Sequence, residues 1–318
     1  MASASIVRRS LLYVPASSQK MLAGSLKIKS DNVTYDLEDS VTPSLKHKAR
    51  DQLRAHLANL EAENRAFGEL AVRINAVETP HALADLTSLA SSPNLDAVVV
   101  PKVNSAADLT FVTDVLRHVA PQRHGARSEN PIKIIALIES AKAIMDLAEI
   151  CKSSPLLNGL IFAAEDFALD LSLTRTPSLR EFLYARSAIV TAARAFDLPS
   201  SIDLVCTSYK GDRGLKVLEE ECEDGRSLGF NGKQCIHPSQ LEVVHRLFSP
   251  SEKEIDWAAR ILVADEKAQK QGRGAWTLDG KMIDAPVIGK AADIADKARR
   301  CAIDMDAVLA KWKDQEPE

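Results

Sequence analysis

The sequence IKIIALIESAKAIMDLAEICKSSPLLNGLIFAAEDF, residues 132–167, contains two apolar, β-branched runs separated by a segment with helical periodicity. The first run ends in Glu139, and the second ends in Glu165 and Asp166. Two strands joined by a helix form a βαβ unit, whose parallel strands bring their carboxyl ends to the same edge. This stretch therefore predicts a parallel sheet with carboxylates at one rim.

The same alternation continues in both directions along the chain. Further runs lie at residues 11–16, 32–39, 69–75, 96–103, 201–209 and 232–238. Eight βα units over about 240 residues match the size and pattern of a (β/α)8 or TIM barrel. A doubly wound open sheet is the alternative, because strand order is not visible in a sequence. Polar residues end almost every run, which favours the barrel, since barrel enzymes assemble their sites at that end.

Composition excludes several classes of protein. Of the 318 residues, 46% are hydrophobic, and Lys+Arg 40 against Asp+Glu 44 gives a net charge of −4, which does not favour a nucleic-acid partner. No run approaches the ~18 apolar residues of a membrane helix. The five cysteines lack a C-x-x-C pair, which argues against a disulfide scaffold or zinc ribbon. We expect a soluble intracellular protein with reduced thiols.

The first thirty residues contain five Lys or Arg and no Asp or Glu. Such a bias is typical of a mitochondrial presequence, although the strand at 11–16 leaves only about ten residues for one. The alternative is that these basic side chains belong to the folded protein and face an anion. A mitochondrial and a cytoplasmic location both remain open.

A domain boundary is predicted near FSPSEKE, residues 248–254, which separates a barrel over 1–250 from an extension over 251–318. The extension contains a predicted helix at 255–271, a Gly-rich turn at 271–286 and a final helix ending near residue 312. We expect it to be too short for a core of its own and to pack on the barrel or on a neighbouring subunit as a lid.

Glu139 and Asp166 are candidate metal ligands. They end the fifth and sixth strands, and neighbouring strands lie about 5 Å apart, so the two carboxylates can share one cation. Oxygen ligands without nearby Cys or His favour Mg²⁺ or Mn²⁺ over zinc. The alternative is that both acids only cap the helices that follow them.

Arg73 and Lys102 also lie at predicted strand ends. Arg73 can bind a carboxylate through two parallel hydrogen bonds, or it can be a buried partner of Asp36 or Glu38. Lys102 follows Pro101 and could form a Schiff base or an ion pair; the neighbouring acid pair favours the ion pair.

Two further residues are candidates on weaker grounds. His237 ends the eighth run, where a structural and a catalytic role are both consistent with the sequence. Asp284 lies between the Gly-rich turn and Pro286 in the extension. It is either an exposed loop acid or an acid–base group on a segment that closes over the barrel mouth.

Eight motifs in order resemble the citrate lyase β-subunit-like family, within the wider HpcH/HpaI aldolase and malyl-CoA lyase superfamily. They are RRSLLYVPA (8–16), YDLEDSV (35–41), VRIN (72–75), PKV (101–103), LIES (137–140), AAEDF (163–167), GKQCIHPSQ (232–240) and DGKMIDAP (279–286). The resemblance covers residues 8–290. The stretches LYARSAIV (183–190) and GRGAWTLDGKMIDAP (272–286) bring it nearest to the members that cleave citramalyl-CoA.

The resemblance implies roles for individual residues. Glu139 and Asp166 correspond to the Mg²⁺ ligands, with Mn²⁺ as an alternative ion. Arg73 corresponds to the arginine that binds the substrate carboxylate, with Glu38 and Asp36 around the metal.

Other residues are implied to contact CoA or the reacting carbon. Tyr13, Lys20, Ile236 and His237 correspond to positions near CoA. Asp284 corresponds to the acid–base aspartate that a neighbouring subunit supplies in a homotrimer, or in a dimer of trimers.

The implied activity is Mg²⁺-dependent retro-Claisen cleavage of citramalyl-CoA to acetyl-CoA and pyruvate, a 2-oxo acid. Alternatives within the family are a malyl-CoA lyase with malate-synthase-like activity, or the β subunit of citrate lyase, which cleaves a citryl thioester to oxaloacetate and an acetyl thioester. An aldolase for free 2-oxo-3-hydroxy acids and a non-enzymatic module are the alternatives outside it.

Overall fold

The computed structural model of the protein describes residues 7–125, 128 and 130–318. The residues before position 7, which include much of the segment expected as a presequence, lie outside the described residues. Within the described chain, eight parallel strands close into a barrel in sequence order, with the last strand paired to the first. They are β1 (Ser10–Pro15), β2 (Asn32–Asp36), β3 (Glu69–Arg73), β4 (Ala97–Val100), β5 (Lys133–Ile138), β6 (Leu157–Phe162), β7 (Ser200–Asp203) and β8 (Gly232–Cys235). The predicted TIM barrel is confirmed, and the open sheet was the wrong alternative.

Helices alternate with these strands. They are α1 (Gln19–Ser25), α2 (Lys46–Ala58), α3 (Ala82–Leu89), α4 (Ala106–Val119), α5 (Pro121–His124), α6 (Ala141–Met145), α7 (Leu147–Lys152), α8 (Ala164–Asp170), α9 (Leu183–Ala195), α10 (Gly211–Leu228) and α11 (Leu241–Phe248). Short 3₁₀ turns lie at Pro43–Leu45, Ala62–Asn64, Arg180–Phe182 and Pro238–Gln240. No helix in the described residues is long and apolar enough to cross a membrane.

Alternate residues of six of the strands, β1 and β3 to β7, point into the barrel, where they form one apolar cluster. The cluster consists of Leu11, Ala71, Ala97, Val99, Ile135, Leu137, Ile161 and Ile202. Two residues beyond three of these positions, on the same face, are Tyr13, Arg73 and Glu139. The period of two therefore directs these three side chains toward the interior at the carboxyl rim.

A buried polar network lies beneath this cluster. Arg8 Nε donates to Glu69 Oε2 at 2.6 Å and Arg8 Nη2 to Glu69 Oε1 at 2.8 Å, while Arg8 Nη1 donates to Ser200 Oγ at 2.9 Å. Asn32 Nδ2 also donates to Glu69 Oε2. At Gly232, an added Cβ would lie 1.9 Å from the Arg8 carbonyl oxygen, so only glycine fits where β8 meets this segment.

This network corrects one interpretation of the basic start of the chain. Arg8 is buried against Glu69, and Arg9 pairs with Asp31 at 2.8 Å. These two arginines belong to the folded protein, but they face its own carboxylates and not an external anion. A buried guanidinium requires such a partner, because an unpaired charge in the interior is strongly unfavourable.

The remainder of the chain, His245–Glu318, forms a second compact unit after a first unit that extends to Val244. It contains α12 (Glu252–Lys270), β9 (Trp276–Leu278), β10 (Lys281–Ile283), α13 (Ala285–Arg300) and α14 (Met305–Lys311). The strands β9 and β10 form an antiparallel hairpin where the sequence indicated only a turn. The expected single final helix is two helices, divided around Ala302, which adopts a positive φ of 61°.

The expectation that this extension has no core of its own is wrong. One buried cluster joins α12 and α13 to the hairpin through Ala258, Ile261, Ala264, Ala268, Trp276, Leu278, Ile283 and Ala291. A second joins α12, α13 and α14 through Ile255, Ala259, Ala295, Ala298 and Met305. Alanine supplies about half of these positions, and its small side chain lets helices approach closely.

Candidate active site

A cleft of about 470 Å³ lies at the carboxyl rim of the barrel. Its lining includes charged side chains, among them Asp36, Asp39, Arg73, Asp166 and Arg175. It also includes the apolar residues Pro15, Leu137, Ala163, Val205 and Ile236. A cleft lined by both kinds of side chain fits a ligand that carries both charged and apolar groups.

Arg73 is held in the cleft by the acids of the YDLED segment. Its Nε and Nη2 donate to the two carboxylate oxygens of Asp36, each at 2.7 Å. Its Nη1 lies 3.0 Å from Glu38 Oε2 and 3.3 Å from Asp39 Oδ2. Burial alone would raise the pKa of Asp36, but the guanidinium of Arg73 holds this pKa below its ordinary value. Asp36 therefore binds the Nε and Nη2 groups of Arg73 and leaves Nη1 directed at the cleft.

Tyr13 lies beneath Arg73 and is half-buried. The guanidinium carbon of Arg73 is 4.7 Å from the centre of the tyrosine ring, a cation–π distance. Tyr13 Oη donates to Gln234 Oε1 at 3.0 Å, and Gln234 Nε2 donates to the carbonyl of Phe162 at 2.8 Å. Burial raises the pKa of Tyr13, so this phenol stays protonated at neutral pH.

Glu139 is buried just beyond the end of β5. Burial, followed by the charges of Glu38 and Asp166, raises its pKa to about 7. Its Oε2 is buried and accepts no hydrogen bond from the described residues. A buried carboxylate oxygen without a hydrogen-bond donor is unfavourable unless a cation or a proton reaches it.

Lys102 lies opposite Glu139, two residues beyond β4. Its Nζ donates to Glu38 Oε1 at 2.8 Å, and lies 3.5 Å from Asp166 Oδ1 and 3.8 Å from Glu139 Oε2. Burial lowers the pKa of Lys102, but these carboxylates outweigh it and raise the pKa above its ordinary value. Lys102 therefore forms ion pairs as a charged ammonium, which is the second of the two roles considered for it.

The two acids that end the AAED motif have different partners. Glu165 pairs with Arg175 Nη1, whereas Asp166 faces Lys102. Arg175 also pairs with Glu221 at 2.6 Å, which fixes it between α8 and α10. Both acids lie in the first turn of α8, a position that favours negative charge. Only Asp166 is therefore available beside Glu139.

The residues predicted to contact CoA lie in different places. Ile236 lines the cleft with 42% of its surface exposed. His237 stacks on Tyr209 with ring centres 5.0 Å apart, and its Nδ1 accepts from the Ser239 amide, so it caps the turn that follows. Lys20 lies exposed on α1. The described lining of the cleft includes neither His237 nor Lys20.

Asp284 lies in the second unit, at the N-cap of α13. Its Oδ1 accepts from the amide of Val287 at 3.3 Å, and Pro286 occupies the first turn of the helix. This cap defines the direction of the carboxylate, because the side chain satisfies an amide that the helix leaves unpaired.

Sequence comparison adds the decisive observation to this geometry. The sequence model of the family described as HpcH/HpaI aldolase/citrate lyase matches residues 9–238, the whole barrel. The chain belongs to this family. A second model, described as a C–C bond lyase of the TIM-barrel fold, matches residues 185–300. The prediction of a carbon–carbon bond lyase is therefore confirmed.

Relatives of the family are similar along nearly their whole length. Citrate lyase subunit beta of Haemophilus influenzae is 34% identical over 92% of this chain and 97% of its own. Human mitochondrial citramalyl-CoA lyase is 32% identical over 90% of this chain and 84% of its own. A (3S)-malyl-CoA thioesterase of Cereibacter sphaeroides is 33% identical over 92% of this chain and 95% of its own.

A solved structure of the family is also similar to this fold. The protein CitE of Mycobacterium tuberculosis, in complex with magnesium, acetoacetate and coenzyme A, has a TM-score of 0.73 and 30% sequence identity. The match covers 94% of this chain and 99% of that one.

The acids at the rim fit a family member that binds magnesium. Glu139 presents a buried carboxylate oxygen that accepts no hydrogen bond from the described residues, and the ammonium of Lys102 lies within 4 Å of both Glu139 and Asp166. The described residues contain no group of three or more His, Cys, Asp or Glu side chains in a metal-binding arrangement. Two carboxylates with the remaining positions left to water or substrate are the usual protein ligand set of Mg²⁺.

Two cleft residues were missed by sequence reasoning. Gln234 has the inward register of β8 and precedes Ile236 by two, so the period of the strand could have identified it. Arg175 lies in the loop after α8, and no local pattern distinguishes it. Its role depends on Glu165 and Glu221, which are brought together only by the fold.

Proposed function

We propose that this protein is a Mg²⁺-dependent acyl-CoA lyase that cleaves citramalyl-CoA to acetyl-CoA and pyruvate. The observation that carries the proposal is the cleft itself, which combines acids and cations of the rim with apolar lining residues in a barrel of a carbon–carbon lyase family. A hydroxyacyl thioester has the matching chemistry, with a carboxylate and hydroxyl at one end and an apolar chain at the other.

Glu139 and Asp166 would hold the cation, with Mn²⁺ as an alternative to Mg²⁺. Bound there, the cation supplies Lewis-acid stabilisation of negative charge on the carboxylate and hydroxyl oxygens of the substrate. The Oε2 of Glu139, which accepts no hydrogen bond from the described residues, supports this assignment, as do the relatives bound to magnesium.

Arg73 would bind the substrate carboxylate through Nη1, because Asp36 already occupies its other edge. Glu38 and Asp36 hold the guanidinium in place from the protein side. The substrate carboxylate would take the position of the exposed Asp39 against Nη1, so one ion pair replaces another at little cost in buried charge.

The reaction is a retro-Claisen cleavage. The substrate hydroxyl loses its proton to a rim carboxylate, its C–O bond becomes the carbonyl of pyruvate, and the electron pair of the broken C–C bond passes to the acetyl-CoA enolate. Asp284 then protonates the enolate carbon, which gives the methyl group of acetyl-CoA. In the direction of condensation Asp284 would act as the base.

Ile236 and Tyr13 would contact the acyl-CoA arm beside the cleft, and Lys20 would meet its phosphates at the surface. His237 would support this wall from outside the cleft by holding the turn after β8. A homotrimer, or a dimer of trimers, would bring Asp284 of one subunit to the cleft of another.

Cleavage by the purified chain tests the proposal. Citramalyl-CoA, malyl-CoA and citryl-CoA are incubated with and without EDTA, and pyruvate, glyoxylate and oxaloacetate are measured. EDTA-sensitive release of pyruvate, fastest from citramalyl-CoA, is the expected result. Faster release of glyoxylate or oxaloacetate would identify a malyl-CoA or citryl thioester lyase instead. Cleavage of a free hydroxy-oxo acid alone would exclude the CoA assignment.

Thioester hydrolysis is the second candidate, because the Cereibacter sphaeroides relatives at 33% identity are named (3S)-malyl-CoA thioesterase. The same incubations separate the two reactions. A lyase releases acetyl-CoA together with a 2-oxo acid, whereas a thioesterase releases free CoA and an intact dicarboxylate. Detection of free thiol in step with malate, without glyoxylate, would favour hydrolysis.

A further inference from the structure

The ammonium of Lys102 lies among the acids of the barrel rim. It lies within 4 Å of carboxylate oxygens from three segments of the rim, at the ends of β2, β5 and β6. The distances are 2.8 Å to Glu38 Oε1, 3.5 Å to Asp166 Oδ1, 3.8 Å to Glu139 Oε2 and 4.0 Å to Asp39 Oδ1.

The backbone of Lys102 is specialised for this position. Its φ is +51°, in the left-handed region that residues other than glycine rarely adopt. Pro101 directly follows β4, so Lys102 lies in the turn after that strand, where its ammonium meets the acids of the rim. A conformation of this kind persists only where the surrounding structure stabilises it.

The distances divide the neighbouring acids into two classes. The contact with Glu38 has the length of a charge-assisted hydrogen bond. The contacts with Asp166 and Glu139 are longer, so the ammonium neutralises these acids without bonding them closely. These are the two acids that the proposed function assigns to the metal.

We propose that Lys102 is a positioning residue that serves as the built-in counter-ion of the metal-free cleft. It fixes Glu38 by a hydrogen bond and competes with the divalent cation for Glu139 and Asp166. The inference rests on the proposed function for the identity of the metal ligands.

The side chain has the freedom that this role requires. The side chain of Lys102 is 40% exposed, and a flexible stem of four carbons connects its ammonium to the backbone. When a cation occupies Glu139 and Asp166, like-charge repulsion drives the ammonium toward Glu38 and Asp39 while the backbone stays in place. The cleft thereby keeps its acids neutralised in both states.

Substitution of Lys102 by Met tests the proposal, with Mg²⁺ binding measured by calorimetry and thermal unfolding measured in EDTA and in Mg²⁺. Removing the competing charge should tighten Mg²⁺ binding by about tenfold. Repulsion among the acids should lower the Tm in EDTA, and Mg²⁺ should raise the Tm of Lys102→Met by more than it raises that of the wild type. Lys102→Arg should restore most of the Tm in EDTA.

The control is Lys216→Met, which removes one positive charge from α10, where the side chain is 78% exposed. It should leave Mg²⁺ affinity unchanged. If Lys102→Met fails to fold, Lys102→Gln tests the same competition, since it can bond Glu38 without a charge. Unchanged or weaker Mg²⁺ binding by both variants would overturn the inference.

Failure of the proposed function gives a different pattern. Absence of Mg²⁺ binding by the wild type would contradict the metal assignment. Binding gained by Lys102→Met would still support competition by the lysine, whereas no binding by either protein would overturn both. A Schiff-base role is tested by treating the protein with pyruvate and borohydride, and a covalent adduct on Lys102 would also overturn the inference.

Discussion

A few buried residues stabilise the end of the barrel at which the strands begin. The carboxylate of Glu69 is buried and accepts hydrogen bonds from Arg8 and Asn32. Burial alone would raise the pKa of Glu69, but the charge and hydrogen bonds of Arg8 hold it below the ordinary 4.5. A carboxylate held in this way stabilises the fold only while it is ionised.

Substitution of Glu69 by Gln should lower the free energy of unfolding at neutral pH by about 3–5 kcal/mol, because Arg8 would remain buried without its counter-charge. Urea denaturation measures the loss. The exposed pair of Asp51 and Arg54 provides the control, and Asp51→Asn should change stability by less than about 0.5 kcal/mol.

The pH dependence of the same variant has a definite sign. Glu69 contributes its full stabilisation above its unfolded pKa and loses it as pH falls through its lower folded pKa. Glutamine does not titrate, so the difference in the free energy of unfolding between the wild type and Glu69→Gln should become smaller below about pH 4.5. A difference that stayed constant with pH would contradict a role for the ionised carboxylate.

Asp284 makes a second prediction at the residue scale. Asparagine caps helices as well as aspartate does but cannot transfer the proton, so Asp284→Asn should keep the fold and lower kcat by about 10²–10⁴-fold. Circular dichroism and lyase assays measure the two effects. Asp304→Asn replaces the cap of α14 in the same unit and should retain activity; equal losses in both variants would contradict a catalytic Asp284.

At the scale of strands and helices, two glycines contrast sharply. Gly232 in β8 has no room for a methyl group beside Arg8, whereas Gly289 lies exposed in α13 with open space around it. Gly232→Ala should destabilise the chain by at least about 3 kcal/mol, and Gly289→Ala should stabilise it by about 0.5–1 kcal/mol. Chemical denaturation followed by circular dichroism compares them; a neutral Gly232→Ala would show that β1 and β8 can separate there.

The eight strands could be predicted from sequence because each is a short apolar run that ends at a polar residue, and the resemblance indicated the acids of the rim. The hairpin at Trp276–Ile283 could not, since three-residue strands show no periodicity. The core of the second unit was missed because alanine in a helix gives little pattern. The convergence of four acids on Lys102 depends on one left-handed residue, a conformation that the sequence PKV does not reveal.

At the scale of the whole molecule, the proposed trimer predicts complementation between inactive variants. Glu139→Gln lacks a metal acid, and Asp284→Asn lacks the acid–base group. If each cleft uses Asp284 of a neighbour in a cyclic trimer, random mixing in equal amounts should restore about a quarter of wild-type activity. Co-expression followed by the lyase assay measures this. Each variant expressed alone is the control, and a mixture as inactive as both would place acid and metal on the same subunit.

The pairing of β1 with β8 has a consequence for synthesis on the ribosome. Residues 10–12 find their second neighbour only at residues 233–235, more than two hundred positions later. Until then the nascent chain carries an open sheet with two unpaired edges, which are prone to pair with other chains. The internal contacts of the second unit lie within the last 74 residues, His245–Glu318, and thus arise after the barrel strands have been translated. The need for chaperones should therefore be highest after β1 has been synthesised and before β8 is available to pair with it.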